Sequence, residues 1–586
     1  MGAMSPSERD AQTPDPDPGT EDPGTGDPGT GTSGTPGTGD PSAGSDGAGP
    51  SDVPTADDGA PGAEGMGAPA ERAPEGSDAD GSAVPPRGAA RTGDEDADRR
   101  ASEPPLPVRS AVTDVASTRV VVLGGGPGGY EAALVAAQLG ASVTVVERDG
   151  LGGSTVLTDV VPSKTLIATA EVMATVTESV ELGLRFPGAG RGDTDAEGAV
   201  TVDLDKVNTR VRGLAKAQSE DIRERLEREG VDVLVGRGTV LAPDRVRVEL
   251  AEGGTRDLRA DVLLLATGSH PRELPDAMPD GERILTWKQL YDLTELPERL
   301  VVVGSGVTGA EFANAYEALG SDVVLVSSRD RVLPGEDADA AQVIDDVFRR
   351  RGMTVMARSR AQSVVRDGDG VLVTLADGRE VRGSHCLMAV GSIPNTAGLG
   401  LEEAGIRTSE SGHVVVDRVS RTSIRGVYAA GDCTGVLPLA SVAAMQGRIA
   451  MWHALGDAVS PLKLRTVAAN VFTAPEIATV GWTQAQIESG EAQGQVVKLP
   501  LAGNARAKMQ GIHDGFVKLF CRTGSGTVIG GVVVSPRASE LVFPLTLAVE
   551  HRLTVDQVAH AFSVYPSLSG SLAEAARRLH TTPEVD

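Results

Sequence analysis

Two glycine-rich turns constrain this chain more than any other feature: Gly124-Gly125-Gly126-Pro127-Gly128-Gly129 and Gly304-Ser305-Gly306-Val307-Thr308-Gly309. Each follows a short apolar run of the kind a buried parallel strand needs, Arg119 to Leu123 in the first case and Leu300 to Val303 in the second. Each precedes a stretch of small and aliphatic residues that reads as a helix, Tyr130 to Leu139 and Ala310 to Leu319. A second strand then follows, Ala141 to Val146 ending on Glu147, and Asp322 to Val326. Strand, tight turn, helix, parallel strand is the right-handed crossover of an open α/β sheet. One such turn is weak evidence because glycine-rich turns are common, but two in matching contexts predict two dinucleotide-binding (Rossmann-type) domains. Long helices are expected at Lys164 to Leu184 and Val202 to Glu229, where apolar residues recur every three or four positions. After about Arg465 the pattern turns to strands (Val467 to Thr473, Gly515 to Cys521, Thr527 to Ser535) and then helices (Ala538 to Arg552, Ser571 to Leu579), which predicts a separate α+β domain.

The first 110 residues stand apart. They hold 22 acidic against 7 basic residues and are rich in Asp, Pro, Gly, Thr and Ser, with Asp-Pro-Gly-Thr repeated from Asp17, Asp22 and Asp27. Such a composition buries too little apolar surface to offset the entropy of ordering, so a disordered acidic tail is expected over 1–117. The whole chain carries a formal charge of −28 and has no Lys/Arg block, which argues against nucleic acid as a partner. No apolar run approaches the roughly 20 residues of a transmembrane segment, and no signal peptide opens the chain. Cys386, Cys433 and Cys521 are too far apart for a disulfide framework or a metal site, and no metal is expected. These features predict a cytoplasmic protein. The expected divisions are 1–117 for the tail, 118–272 and 273–396 for the two nucleotide folds, 397–463 for a segment returning to the first, and 464–586 for the last domain.

The turns also carry chemistry. Gly124, Gly126 and Gly129 let the backbone approach a pyrophosphate, whose charge then meets a helix N-terminus. Glu147 is placed to accept hydrogen bonds from an adenosine ribose. Three further stretches agree with nucleotide binding: Val262 to Gly268, a buried strand ending in the small turn Thr267-Gly268; Ala389 to Asn395, containing Gly391; and Gly426 to Asp432, a strand that ends by presenting one carboxylate, suited to a ribityl hydroxyl.

From Thr118 to about Leu579 the chain resembles the pyridine nucleotide–disulfide oxidoreductases, the group of lipoamide dehydrogenase and glutathione reductase, and the stretch Thr473-Ala474-Pro475-Glu476-Ile477-Ala478-Thr479-Val480-Gly481 matches their dimerisation domain. The resemblance implies FAD on the first fold, NADPH or NADH on the second, and a homodimer. It places Gly124, Gly126, Gly129, Glu147, Thr155, Lys164, Thr239, Thr267, Gly268, Asp432 and Ala440 around FAD. Around the nicotinamide nucleotide it places Gly304, Gly306, Gly309, Glu311 and Gly391.

The departures from that family decide the expected reaction. Its members carry Gly-Gly-x-Cys-x-x-x-x-Cys-x-Pro-x-Lys, whereas this chain reads Gly152-Gly153-Ser154-Thr155-Val156-Leu157-Thr158-Asp159-Val160-Val161-Pro162-Ser163-Lys164. Thr155 and Val160 occupy the cysteine positions and can form neither thiolate nor disulfide. The family's C-terminal His-x-x-x-x-Glu is replaced by Tyr565 and Gly570. Thiol–disulfide chemistry is therefore excluded, although a label of lipoamide dehydrogenase by similarity is easily earned. Lys164 and Glu311 are retained, and in the family they pair beside the flavin and the nicotinamide. The chain resembles a disulfide-lacking, quinone-reducing branch of the family. The expectation is ping-pong transfer from NAD(P)H to FAD and on to a quinone, with Lys164 stabilising negative charge on the flavin, Glu311 orienting that lysine, and Tyr565 of a partner subunit either donating a hydrogen bond to the quinone or filling a vacated pocket. The alternatives are a reductase of another acceptor (oxygen, a nitro compound or a protein) and a flavin-bound scaffold without enzymatic activity.

Nucleotide choice is read at the position corresponding to Glu147 in the second fold. It holds Ser327, followed by Ser328 and Arg329, with no acid to repel a 2′-phosphate. Ser327 or Ser328 with Arg329 predicts use of NADPH, with NADH tolerated. Cys386 and Cys521 are expected to be buried structural thiols, and Cys433 to lie near FAD.

Overall fold

The computed structural model describes residues 115–185 and 200–580, so the tail expected over 1–117 lies outside the described residues except for its last three. The first sheet runs in the order Val427–Ala429, Val262–Leu265, Arg119–Leu123, Ser142–Glu147, Asp232–Ala242, Arg245–Leu250 and Thr255–Arg259. Its first five strands pair in parallel, and the last three form an antiparallel meander. The strand Val427–Ala429 comes from the returning segment, as does the helix Ala440–Ala454 that packs on the helix Pro127–Gln138. Glycine permits that packing. A Cβ on Gly447 would lie 2.1 Å from the carbonyl oxygen of Gly128, so the two backbones touch where any other residue would hold them apart.

The second sheet is wholly parallel, in the order Thr354–Met356, Asp322–Val326, Arg299–Val303, His385–Met388 and Ile284–Leu285. Every residue of Val323 to Val326 and of Leu300 to Val303 is buried, as expected for strands covered on both faces. A three-stranded antiparallel sheet, Ala361–Asp367, Gly370–Leu375 and Glu380–Gly383, is inserted beside it. The last domain is a five-stranded antiparallel sheet in the order Ala468–Val471, Glu476–Gly481, Val528–Ser535, Phe516–Cys521 and Gln495–Pro500, with helices Phe543–Glu550 and Gly570–Arg578 packed on it. The three sheets are joined by apolar packing. Leu166 and Ile167 of the first region, Phe312 and Tyr316 of the second, and Ile477, Phe516 and Phe520 of the third belong to one buried cluster.

The α/β class with an α+β close agrees with the sequence reading. The helix expected at Lys164 to Leu184 is found at Val160–Glu178, beginning earlier because Pro162 falls in the first turn, where a missing N–H costs nothing. The helix expected over Ala538 to Arg552 breaks into Ala538–Leu541 and Phe543–Glu550, since Pro544 cannot donate to the preceding turn. No helix of the described residues is long and apolar enough to cross a membrane.

Candidate functional site

The two glycine turns are built alike. Gly124 has φ +102°, and a Cβ there would lie 2.2 Å from the carbonyl oxygen of Ala266; Gly304 has φ +114°, and its Cβ would lie 2.1 Å from that of Ala389. Gly129 and Gly309 seat helix against strand, each hypothetical Cβ falling within 2 Å of the first glycine's carbonyl oxygen (1.9 and 1.8 Å). Gly126 and Gly306 differ. Each stands at the N-cap of its helix with no side chain capping the first N–H groups, and a Cβ on either would meet nothing within 4 Å. Both helices thus open their N-termini onto empty space, the arrangement that receives a pyrophosphate.

Glu147 closes the first fold. Its Oε2 accepts the Gly125 N–H at 2.6 Å and its Oε1 accepts the N–H groups of Arg148 and Asp149, both at 2.7 Å. The carboxylate is fixed by backbone amides while Oε2 keeps accepting capacity for a hydroxyl. Asp432 follows the strand Val427–Ala429, and its Oδ2 accepts the Ser269 hydroxyl at 2.9 Å. Thr267 is half-buried, and its carbonyl accepts the Asn395 side-chain N–H at 2.9 Å. That bond ties the turn at Thr267-Gly268 to the segment after Gly391. Thr155 is half-buried on the short helix Gly153–Leu157, and Ala440 begins the uncapped helix Ala440–Ala454. Thr239 lies on the antiparallel part of the first sheet, paired with Arg247 and beside Gly400.

At the junction of the folds Lys164 Nζ donates to Glu311 Oε2 at 2.7 Å. The lysine side chain is 27% exposed and the glutamate 4%. Glu311 Oε1 accepts the Phe472 N–H at 2.8 Å, and the Phe472 ring lies 4.9 Å from Lys164 Nζ. A helix from each nucleotide fold and a strand end from the last domain therefore hold one cation.

In the second fold Ser327 is fully buried, and its hydroxyl is used internally. It pairs with the Ser305 hydroxyl at 2.7 Å and accepts the Arg329 N–H at 3.1 Å. Ser327 thus joins the glycine turn to the strand end and cannot also reach a ribose phosphate. Ser328, Arg329 and Arg358 are exposed at the same edge, and the Arg329 carbonyl accepts the Arg358 N–H at 2.6 Å. Sequence reasoning missed Arg358 because it arrives from the adjacent strand Thr354–Met356.

Cys386, Cys433 and Cys521 are all free and buried. Burial pushes the Cys433 thiol up to about 11, and its hydrogen bonds run to the carbonyls of Leu265 and Ala430. Burial raises Cys386 and Cys521 as well, so all three stay protonated near neutral pH. Tyr565 is 86% exposed, in a segment with Phe562 and Val564 also exposed.

The family description "Pyridine nucleotide-disulphide oxidoreductase" matches residues 118–447, and its dimerisation domain matches 467–576. The chain belongs to this family. A NAD(P)H dehydrogenase (quinone) of Mycobacterium tuberculosis is 55% identical over 478 residues, which cover 80% of this chain and 95% of that protein. A dihydrolipoyl dehydrogenase of Zymomonas mobilis is 33% identical over 464 residues, 78% of this chain and 96% of that one. The crystal structure of LpdA from M. tuberculosis superposes with a TM-score of 0.75 at 54% identity, covering 79% of this chain and all of that one.

As a member of this family the chain is an oxidoreductase that binds FAD and uses NAD(P)H. Its residues fit both groups. The open space at Gly126 and Gly306 admits two pyrophosphates, and Glu147 and Asp432 present carboxylates at two strand ends of the first fold.

Proposed function

We propose that this chain is an FAD-dependent NAD(P)H:quinone oxidoreductase that works as a homodimer in the cytoplasm, without any thiol step. The observation that carries the reading is the Lys164–Glu311 pair, intact at 2.7 Å on the same short stretch of chain where Thr155 and Val160 stand at the positions of the cysteines. The half of the site that receives electrons from the nicotinamide is kept, and the half that would relay them to sulfur is gone.

Gly124, Gly126, Gly129, Glu147, Asp432 and Ala440 would hold FAD, which when bound supplies hydride acceptance and donation. Lys164 places a positive charge where electron density accumulates during reduction, and the buried Glu311 fixes that charge in position. Gly304, Gly306, Gly309 and Gly391 would hold the nicotinamide nucleotide. The exposed Ser328, Arg329 and Arg358 suit a 2′-phosphate, so NADPH is preferred. With no thiol available, a planar acceptor must stack where it can take electrons directly, as a quinone does. The 55% identity to a NAD(P)H dehydrogenase (quinone) supports the acceptor class. The match to the dimerisation domain supports the homodimer, and exposed Phe562, Val564 and Tyr565 give that domain an apolar surface for a second copy, with Tyr565 able to reach the partner's acceptor site.

Anaerobic stopped-flow absorbance tests the reading. Mixing the FAD-loaded protein with NADPH should bleach the flavin without a thiolate charge-transfer band, and menadione should then restore the oxidised spectrum. A flavin that NADPH does not bleach, or that menadione does not reoxidise, would refute it.

A further inference from the structure

Asp159 stands immediately before Val160, in the stretch that connects the helix bearing Thr155 to the helix bearing Lys164. Its backbone is fixed on both sides. The Asp159 N–H donates to the Ser154 carbonyl at 2.8 Å, and the Asp159 carbonyl accepts the Ser163 N–H at 2.7 Å. Its side chain occupies the N-cap of the helix Val160–Glu178 yet makes no capping hydrogen bond, so it does not serve the helix. Protein crowds the carboxyl on nearly every side, while the residue keeps some open surface toward the cleft. Its charged neighbours come from four elements: Lys164 on its own helix, Glu311 on the second glycine-turn helix, Asp432 on the returning segment, and Lys288 beside the turn Gln289–Asp292. The phenol of Tyr291, in that same turn, also feels its charge.

Those neighbours identify where the carboxyl lies. Lys164 with Glu311 and Asp432 are the groups assigned above to opposite parts of the FAD site, and Asp159 interacts with all three. Burial pushes its carboxyl up to about 6; Lys164 and Lys288 act in the opposite direction, and Glu311 and Asp432 add to the rise. Water displaced by a bound cofactor would raise it further. Near neutral pH a substantial fraction of Asp159 therefore holds a proton at a carboxyl oxygen.

We propose that Asp159 is the proton donor of the acceptor half-reaction. This inference rests on the quinone reductase reading. Converting NAD(P)H and a quinone to NAD(P)⁺ and a quinol consumes one proton beyond the hydride. The electron pair and one hydrogen reach one quinone oxygen as hydride by way of the bound flavin, leaving the second oxygen anionic. The Asp159 O–H bond breaks, a new O–H bond forms on that oxygen, and the resulting carboxylate is reprotonated from water. In a site without thiols or a catalytic histidine, this buried acid supplies the proton that the enzyme must otherwise draw from solvent.

The test uses full-length, FAD-loaded wild type, Asp159→Asn and Asp159→Glu. The visible flavin band of oxidised wild type should shift through a single midpoint in pH, and the shift should vanish in Asp159→Asn and return in Asp159→Glu. Prereduced enzyme is then reoxidised with menadione, which needs a proton, and with ferricyanide, which takes electrons alone. Asp159→Asn should lower the ratio of menadione to ferricyanide rates by roughly tenfold or more. The wild-type menadione rate should fall as pH rises through the spectral midpoint, and this dependence should flatten in Asp159→Asn. An unchanged ratio, or a pH profile retained in Asp159→Asn, overturns the assignment of Asp159 alone. Wild-type flavin that menadione cannot reoxidise overturns the quinone reading and this proposal with it.

Discussion

Lys164 and Glu311, 147 residues apart in sequence, meet at 2.7 Å, and the backbone N–H of Phe472 completes the contact by donating to the free oxygen of the glutamate. One ion pair thus records the correct assembly of three regions of chain. Because Glu311 is 4% exposed, removing its cation leaves a buried carboxylate with one amide partner. Lys164→Met should therefore cost about 3 kcal/mol of stability, while the double variant Lys164→Met/Glu311→Gln should be distinctly less destabilised. Thermal unfolding of the FAD-loaded proteins compares the two. Both variants should reduce flavin with NADPH far more slowly than wild type, since neither keeps the charge.

The glycines of the first turn separate into folding and binding roles. Gly129→Ala would drive a Cβ to 1.9 Å from the Gly124 carbonyl oxygen, against backbone that cannot yield, and should fail to accumulate as folded protein. Gly126→Ala meets nothing in the protein and has an ordinary negative φ of −67°, so it should fold. Its methyl group would instead occupy the space assigned to the pyrophosphate, and the purified protein should carry much less flavin. The ratio of flavin to protein absorbance, read beside circular dichroism, distinguishes these outcomes.

Much of this was legible because glycine turns and buried strands follow from local rules. The two nucleotide folds, the Lys164–Glu311 pair and the loss of cysteines at Thr155 and Val160 could all be read in one dimension. What could not be read depends on contacts between strands. Ser327 looked available for a phosphate, but Ser305 lies beside it and engages its hydroxyl. Arg358 reaches the same edge only because the strand Thr354–Met356 pairs with Asp322–Val326. Asp159 carried a weak signal, an acid between the two replaced cysteine positions, whose meaning depends on burial that sequence does not show.

The arginine edge predicts nucleotide preference. Arg329→Ala and Arg358→Ala should each lower kcat/KM for NADPH by about tenfold or more, as expected for a charge-assisted bond of about 1.5–3 kcal/mol. The value for NADH should change little, since that nucleotide has no 2′-phosphate. Ser327→Ala should weaken both nucleotides alike, through loss of the Ser305 contact that shapes the glycine turn. Steady-state kinetics with the two nucleotides decides the matter.

Glu317 gives the fold a dependence on pH. Burial pushes its carboxyl up to about 7, Glu178 adds to the rise, and Arg351 opposes it only partly because its guanidinium also pairs with Glu178 at 2.7 Å. The Oε2 atom of Glu317 is buried without a hydrogen-bond partner. A carboxyl whose folded value lies above its unfolded one favours the native state most at low pH. That contribution is complete below about 4.5, declines as pH rises, and is lost above about 7. Its full size is at most on the order of 3 kcal/mol. Glu317→Gln cannot ionise, so its melting temperature should exceed that of wild type at pH 8 and should match or fall below it at pH 5. Melting curves at the two pH values check the sign; an equal offset at both would show that the ionisation of Glu317 contributes nothing to stability.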